Sequence, residues 1–444
     1  MSRREEIAEE VLKDVRAAGI KFARLQFVDI NGILKSVSVN VKNLERIFHS
    51  GQNFDGSSVT GYRPIEESDL ILFPDPSTYG KLPGRPDECR LICDIYSPDG
   101  KRFECDPRYA LQRALEKCRE AGYVYKCAPE MEFFLLKDAD GPIPTPIDMA
   151  GYFDLHPRDL TEDLRNEIAN LAQGFGIEVE LSHHEVARGQ HEIDFKYGEA
   201  LRVADNAMTV KMLIKSVAAK NGFIATFMPK PFYGVNGSGM HVHQSFWSLD
   251  GRNAFFDDNP DTGFLSKEAL YFIGGQIRYG REMSAVLSSW PNSYKRLIPG
   301  YEAPVYLAWG YRNRSPLIRV PDFRRRPEAA RVEIRSPDPA GNPYLQFAVL
   351  CIAGLEGIKR RIEPPEPTDL NLYQMSREER ERRGIGTLPE SFGQSLMEME
   401  KGTLVKEALG EALFKNFLDE KRKEWDLYRM QVSPWEVERY IRKL

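Results

Sequence analysis

The stretch Ala128-Pro129-Glu130-Met131-Glu132-Phe133-Phe134-Leu135-Leu136 sets two carboxylates two residues apart inside an otherwise apolar run. Strand side chains alternate between faces, so Glu130 and Glu132 point one way while Met131, Phe133 and Leu135 fill the other. Two anions then share one wall, and like charges close together in a partly dry site repel and raise each other's pKa. A cation relieves that cost. The plainer reading is an edge strand whose polar face meets water, which suffices for an isolated Glu-x-Glu.

The 444-residue chain has room for two domains, and its 42% hydrophobic and 29% charged residues are those of an ordinary soluble globular protein. A net charge of −5 and the lack of a basic stripe interleaved with aromatics give no case for nucleic acid as a partner. The start Met1-Ser2-Arg3-Arg4-Glu5-Glu6 lacks an apolar signal region, and the longest apolar segment, Phe347 to Ile358, carries Glu356 and two glycines. No membrane partner is expected, and the expected location is the cytoplasm. The six cysteines show no Cys-x-x-Cys spacing, so buried thiols are expected rather than disulfides or zinc.

Along the chain, residues 4–18 carry apolar positions at helical spacing, and 22–29 and 33–41 read as strands joined by the hairpin signal Asn31-Gly32. Phe54-Asp55-Gly56-Ser57-Ser58 is a loop presenting an acid and two hydroxyls. Strands over 70–75 and 88–96 complete a small sheet domain, residues 1–105. Asp106-Pro107 then caps a helix and opens a larger domain, residues 106–444, in which helices and strands mix without βαβ regularity. The fold class is α+β. The run 377–383 reads as a solvated helix face, and the tail from Trp435 to Leu444 is amphipathic.

Within the larger domain, Ser182-His183-His184-Glu185 and Gly189-Gln190-His191-Glu192 offer two more acids across a glycine turn. Gly239-Met240-His241-Val242-His243 puts two imidazoles on one strand face, and Arg331-Val332-Glu333-Ile334-Arg335 flanks an acid with guanidiniums. Singly, these are polar strand faces or salt-bridge ladders. Together, five carboxylates and a histidine on strand ends suit two hard divalent ions, Mg²⁺ or Mn²⁺. Arg296, Arg314, Arg319, Arg331 and Arg335 fall in one segment, and guanidinium forks match carboxylates and phosphates. Divalent ions beside such arginines point to phosphoryl transfer, although no P-loop or kinase-type Gly-rich loop is present.

Six motifs occur in the order found in type I glutamine synthetases: residues 54–58, Pro129-Glu130-Met131-Glu132, Asn236-Gly237-Ser238-Gly239-Met240-His241-Val242-His243, the run from Lys295 to Pro304, Asn313-Arg314-Ser315 and Asn342-Pro343-Tyr344. The chain resembles that family over nearly its whole length. The resemblance implies a small N-terminal β-grasp-like domain and a large catalytic domain with a curved antiparallel sheet flanked by helices. It implies that Glu132, Glu185 and Glu192 hold one divalent ion and Glu130, His241 and Glu333 a second, with two or three ions per site. By the same likeness Glu180, His243, Ser245, Arg319 and Arg331 contact ATP, with Arg314 at the transferring phosphoryl group. Asn236, Gly237, Arg296 and Arg335 hold L-glutamate. Asp55 takes a proton from ammonium, helped by Ser58, Tyr152 and Glu185, and Glu302 lies in a flap that shuts over the intermediate.

The implied reaction phosphorylates the glutamate side chain with ATP and lets ammonia displace phosphate, giving L-glutamine. The family also implies a homo-dodecamer of two hexameric rings, with Asp55 reaching the next subunit's site and the tail near Trp435 as a ring-to-ring contact. Chain length is similar to the shorter, alpha subtype, regulated by glutamine feedback and protein partners, among them a glutamine-dependent transcription regulator. Two positions depart from the family patterns: Tyr373 is flanked by Gln374-Met375-Ser376, unlike the nucleotidylated site of the longer subtype, and the feedback arginine of the shorter subtype falls on Pro64, with Arg63 one place early. Relatives that ligate a polyamine or other amine, or that serve as non-catalytic scaffolds, are the competing expectations. The small acid-and-hydroxyl pair Asp55 and Ser58 favours ammonium.

Overall fold

The structure, a computed structural model, describes residues 3–62, 68–141, 143–323 and 326–444. Arg63 and Pro64, on which the feedback expectation falls, lie outside the described residues.

The first sheet holds β1 (Phe22–Val28), β2 (Leu34–Asn40), β3 (Gln52–Asp55), β4 (Asp69–Pro74), β5 (Gly80–Lys81) and β6 (Glu88–Tyr96). Its order is β2-β1-β6-β4-β3 with β5 beside β6, and β1 runs parallel to β6. The β1–β2 hairpin closes at Asn31-Gly32, as its turn chemistry requires: Gly32 sits at φ 79°, and the Asp29 carboxylate accepts from the Asn31 and Ile33 amides. A Cβ on Gly32 would come within 2.9 Å of the Asn342 Cα. Only glycine lets this tip approach Asn342, whose side-chain amide donates to the Asp29 carbonyl at 3.0 Å. The small sheet is thereby tied to the helix Pro343–Arg360, which Asn342 caps.

The second sheet is built on β7 (Tyr123–Asp138), whose 16 residues extend well beyond the stretch 128–136 read as a strand above. It joins β8 (Thr145–Pro146), β9 (Val179–His184), β10 (Gln190–Phe195), β11 (Gly198–Glu199), β12 (Ile224–Thr226), β13 (Met240–Ser248), β14 (Tyr306–Tyr311), β15 (Pro316–Val320) and β16 (Val332–Ile334). The order is β14-β15-β16-β13-β7-β10-β9, with β8, β11 and β12 alongside β7. The expected curved antiparallel sheet is present, with one parallel pair at its edge. Residues 312–315 lead the chain back along β14, so β15 pairs with it in parallel.

Helices Pro107–Glu120, Ala200–Lys220, Lys267–Leu287 and Pro343–Arg360 flank this sheet, with Phe133, Phe246, Phe272 and Phe347 fully buried. The last two helices touch at Gly275 and Gly357, where a Cβ on Gly275 would meet the Ala353 carbonyl at 2.2 Å. Helices Phe392–Lys401 and Glu411–Arg429, which the sequence reading did not assign, pack behind them. Arg377–Arg382 is the exposed helix expected there. All six cysteines are buried, and none is in a disulfide. No helix among the described residues is long and apolar enough to cross a membrane.

Candidate active site

Register collects the polar side chains. Across the central strands, Asp194 and His241 both lie opposite Glu130, Glu192 lies opposite Glu132, and His243 and Arg319 lie opposite Glu333. Residues directly opposite point to one face, so this pairing alone gathers five acids, two imidazoles and an arginine.

His241 Nδ1 is 2.8 Å and His243 Nε2 is 2.6 Å from the two oxygens of Glu130. His241 also lies 3.9 Å from oxygens of both Glu132 and Glu333. Glu333 is fully buried and each of its oxygens accepts from an arginine, Arg319 Nη1 at 2.6 Å and Arg335 Nη1. On the other side, His183 bridges Glu192 at 3.1 Å and Glu185 at 3.6 Å. Glu132 accepts from Gln190 Nε2 at 2.7 Å and from the Gly239 amide at 3.0 Å. The donor atoms form two sets, each within 4.8 Å: Glu130, His243 and Glu333, and His183, Glu185 and Glu192. His241 lies just outside the first of these sets and Glu132 just outside the second.

Charge divides the same way. Burial raises Glu130 and Glu333, but His243 and His241 bring Glu130 well below the usual carboxylate range, and Arg335 lowers Glu333. For the rest, nearby cations offset only part of the cost. Burial, then Glu192 and Glu185, push Glu132 well up; burial, then Glu130 and Glu185, push Glu192 to about 9. Burial also raises Glu185. Asp194 is pushed to about 10, and its Oδ1 is buried with no hydrogen-bond partner. An acidic wall short of positive charge, offering oxygens and imidazole nitrogens but no thiolate, fits hard divalent cations.

Two cavities of about 360 Å³ each meet at this wall. The first is lined by all six expected ion ligands and by Tyr152, Asn236, Gly237, Arg296, Glu302, Arg314 and Arg335; it also takes Arg319, expected on the nucleotide side. Three donor contacts from the two Nη atoms of Arg296 go to the carbonyls of Arg335, Ser336 and Pro337, so this guanidinium braces the wall. Arg314 hydrogen-bonds Tyr152. At the rim, Gly300 has φ 104° and Glu302 φ 57°, and Glu302 accepts from the Asn236 side chain at 3.4 Å. The second cavity is lined by Glu180, His243, Ser245 and Arg331, with Lys126 3.7 Å over the Trp247 ring. Arg331 Nε donates to His243 Nδ1 at 3.2 Å. Glu130, Leu181 and Asp194 line both cavities.

Asp55 and Ser58 line neither. Asp55 is exposed on the first sheet and, among the described residues, accepts from Ser57, through its amide at 2.8 Å and its hydroxyl at 2.7 Å. A larger cavity of about 730 Å³, between Gly32, Lys211 and Trp290, carries one acid, Glu424, and no cluster of this kind. Asp194, His183 and Gln190 are site residues that the sequence reading left unassigned. Continuing the alternation from Glu192 by two residues finds Asp194.

A family model described as the glutamine synthetase catalytic domain matches residues 104–440, and one described as the glutamine synthetase β-grasp domain matches 19–98. The chain belongs to the glutamine synthetase family. It is 48% identical over 441 residues to the glutamine synthetase of Methanosarcina mazei, covering 98% of each chain, and 47% identical over 438 residues to that of Thermotoga maritima, covering 98% of this chain and 99% of the relative. Among solved structures, a GmaS/ADP complex aligns with TM-score 0.88 at 30% identity, covering 97% of this chain and 99% of that one. A cryo-EM structure of Plasmodium falciparum glutamine synthetase aligns with TM-score 0.89 at 25% identity, covering 99% of each. The small sheet is the family's β-grasp domain, and the curled sheet with its helices is the catalytic domain.

Proposed function

We propose that the chain is a glutamate–ammonia ligase serving nitrogen assimilation, which makes L-glutamine, ADP and phosphate from L-glutamate, ammonia and ATP through a γ-glutamyl phosphate. The observation that carries this reading is the meeting of the two cavities at Glu130: one is acidic and arginine-lined, the other flanked by Trp247 and Lys126. A carboxylate is a poor electrophile. Transfer of the terminal phosphoryl group to its oxygen creates a leaving group, and ammonia then forms the C–N bond as the C–O bond to phosphate breaks.

In this reading Glu180, His243, Ser245 and Arg331 seat the nucleotide, with Arg319 and Arg314 toward the transferred phosphoryl group. Asn236, Gly237 and Arg335 orient glutamate against the wall braced by Arg296. Glu132, Glu185 and Glu192 hold one ion, and Glu130, His241 and Glu333 another, with His243 and Asp194 adjoining. Bound there, Mg²⁺ or Mn²⁺, two or three per site, neutralises developing charge on the phosphoryl oxygens. Tyr152 and Glu185 face the ammonium side, and the Glu302 flap excludes water from the acyl phosphate.

Asp55, which accepts the ammonium proton, and Ser58 come from a neighbouring subunit; their exposure far along the small sheet supports this. The assembly is then a homo-dodecamer of two six-membered rings, working in the cytoplasm, of the shorter alpha subtype, with a glutamine-dependent transcription regulator as a further partner. The working division is residues 1–105 and 106–444.

Glutamate labelled with ¹⁸O in its side-chain carboxylate tests the reaction. One label should appear in released phosphate, and only with ATP, ammonium and Mg²⁺ or Mn²⁺ present. Unlabelled phosphate, or none, overturns the proposal.

A further inference from the structure

Behind the acidic wall lies a buried cluster of Asp148, His184 and His191, whose donor atoms fall within 4.8 Å of one another. That spacing alone would suit an ion, but the hydrogen bonds exclude one. His184 Nδ1 faces the Glu185 carbonyl at 2.7 Å and its Nε2 faces Asp148 Oδ1 at 3.0 Å. Both partners only accept, so the ring carries a proton on each nitrogen and offers no lone pair. His191 Nδ1 accepts from Arg165 Nη1 at 3.0 Å.

The Asp148 carboxylate holds more than His184. Oδ1 also takes the amides of Gly189 at 3.1 Å and Ala150 at 3.3 Å, and Oδ2 takes that of Leu160 at 3.4 Å. The His184 carbonyl in turn accepts from the Phe153 amide at 3.1 Å. One buried carboxylate therefore ties three pieces together: the loop 148–160 carrying Tyr152, the end of β9 leading to Glu185, and the Gly189 turn leading to Glu192. Alternation puts His183 on the cavity side and His184 behind it.

We infer that Asp148 and His184 are positioning residues, a latch that sets Glu185, Glu192 and Tyr152 for the ion and ammonium side of the site. This rests on the ligase reading above. Glu130, His241 and Glu333 stand on β7, β13 and β16; the latch meets β7 at Leu135, whose amide donates to the Gly189 carbonyl and whose carbonyl accepts from the Ile147 amide, five residues beyond Glu130, so its loss should fall chiefly on the Glu185 and Glu192 set. Partners of this kind, one shell outside the ligands, typically control about 10–100-fold in metal affinity.

The test is Mn²⁺ titration of the full-length protein, with free ion read by electron paramagnetic resonance, alongside thermal melts. Asp148→Asn and His184→Phe should weaken one class of Mn²⁺ site by about 10-fold or more, leave the other unchanged and raise KM for ammonium. His184→Gln, which keeps an N–H donor, should recover part of the loss. Both classes binding as in the unaltered protein, or both weakening in step with melting temperature, would overturn the latch alone. An unaltered protein that binds no Mn²⁺ would overturn the ligase reading as well.

Discussion

Glu130 and Glu132 stand on one face of one strand and are driven in opposite directions. Both are raised by burial, but His243 and His241 bring Glu130 well below the ordinary range, whereas Glu192 and Glu185 push Glu132 further up. One wall thus has a neutralised half and a half in which Arg296, His183 and Arg335 offset only part of the cost of burial and crowding. The second half is where a divalent ion gains most.

That split predicts proton release on ion binding. Without ions, Glu192 titrates near 9 and Glu132 and Glu185 are raised, so the site retains protons at pH 7.5. Mn²⁺ needs the carboxylates bare and should expel about one proton or more per site. Calorimetry in two buffers of different ionisation enthalpy reads this number. Raised acids bind more protons folded than unfolded, so metal-free stability is fullest below the unfolded pKa and falls as pH rises toward 9. Melting temperature without ions should drop across that window, and saturating Mn²⁺ should flatten the drop.

Asp55 tests the shared site. Its carboxylate is exposed and, among the described residues, accepts from Ser57, while Arg335 is buried in the acidic cavity. Asp55→Ala and Arg335→Ala should each abolish ammonium-dependent turnover. Denatured together and reassembled, the two should regain roughly a quarter of normal activity, because a ring then contains some sites with both residues intact. No recovery from a well-formed mixed assembly would overturn the sharing of Asp55 between subunits.

Part of this was legible from residue spacing and part was not. Glu130, Glu132, Glu192 and His241 could be read because alternation is local: a two-residue period commits a side chain to a face whatever the strand meets. The Asn31-Gly32 turn was legible for a similar reason, a backbone requirement at one residue. Which strand lies beside which is not local. Hence Asp194 opposite Glu130, the bridging of Glu185 and Glu192 by His183, and the buried bracing by Arg296 emerge only from the register of distant strands. The full length of β7 was hidden because its first half pairs with β13 and its second with β10, β12 and β8, so no single hydrophobic pattern runs through it.

The flap should govern coupling rather than binding. Glu302 is held at φ 57° beside Gly300 and reaches Asn236 at 3.4 Å across the cavity mouth. Glu302→Ala removes that closure, so water should reach the acyl phosphate. The ratio of phosphate released to glutamine formed should climb from one to several, with kcat for glutamine falling about 10-fold or more. Parallel assays of the two products decide it, and a ratio that stays at one removes the water-excluding role.

Lys421 offers a stability test away from the chemistry. The side chain is 1% exposed, its Nζ has no hydrogen-bond partner, and it sits 3.6 Å over the Trp290 ring. The ring's attraction recovers only part of the cost of burying an ammonium, and burial brings the group down to about 7. Its unfolded counterpart keeps the proton to about 10.4. Between those values the unfolded chain binds more protons, so this position costs most at and below pH 7 and progressively less as pH rises. Lys421→Met, similar in volume and apolar, should therefore stabilise the protein by on the order of 1–3 kcal/mol near pH 7. The gain in melting temperature should shrink by pH 9.5. A gain that is equal at both pH values would mean that packing, rather than the buried charge, sets the cost.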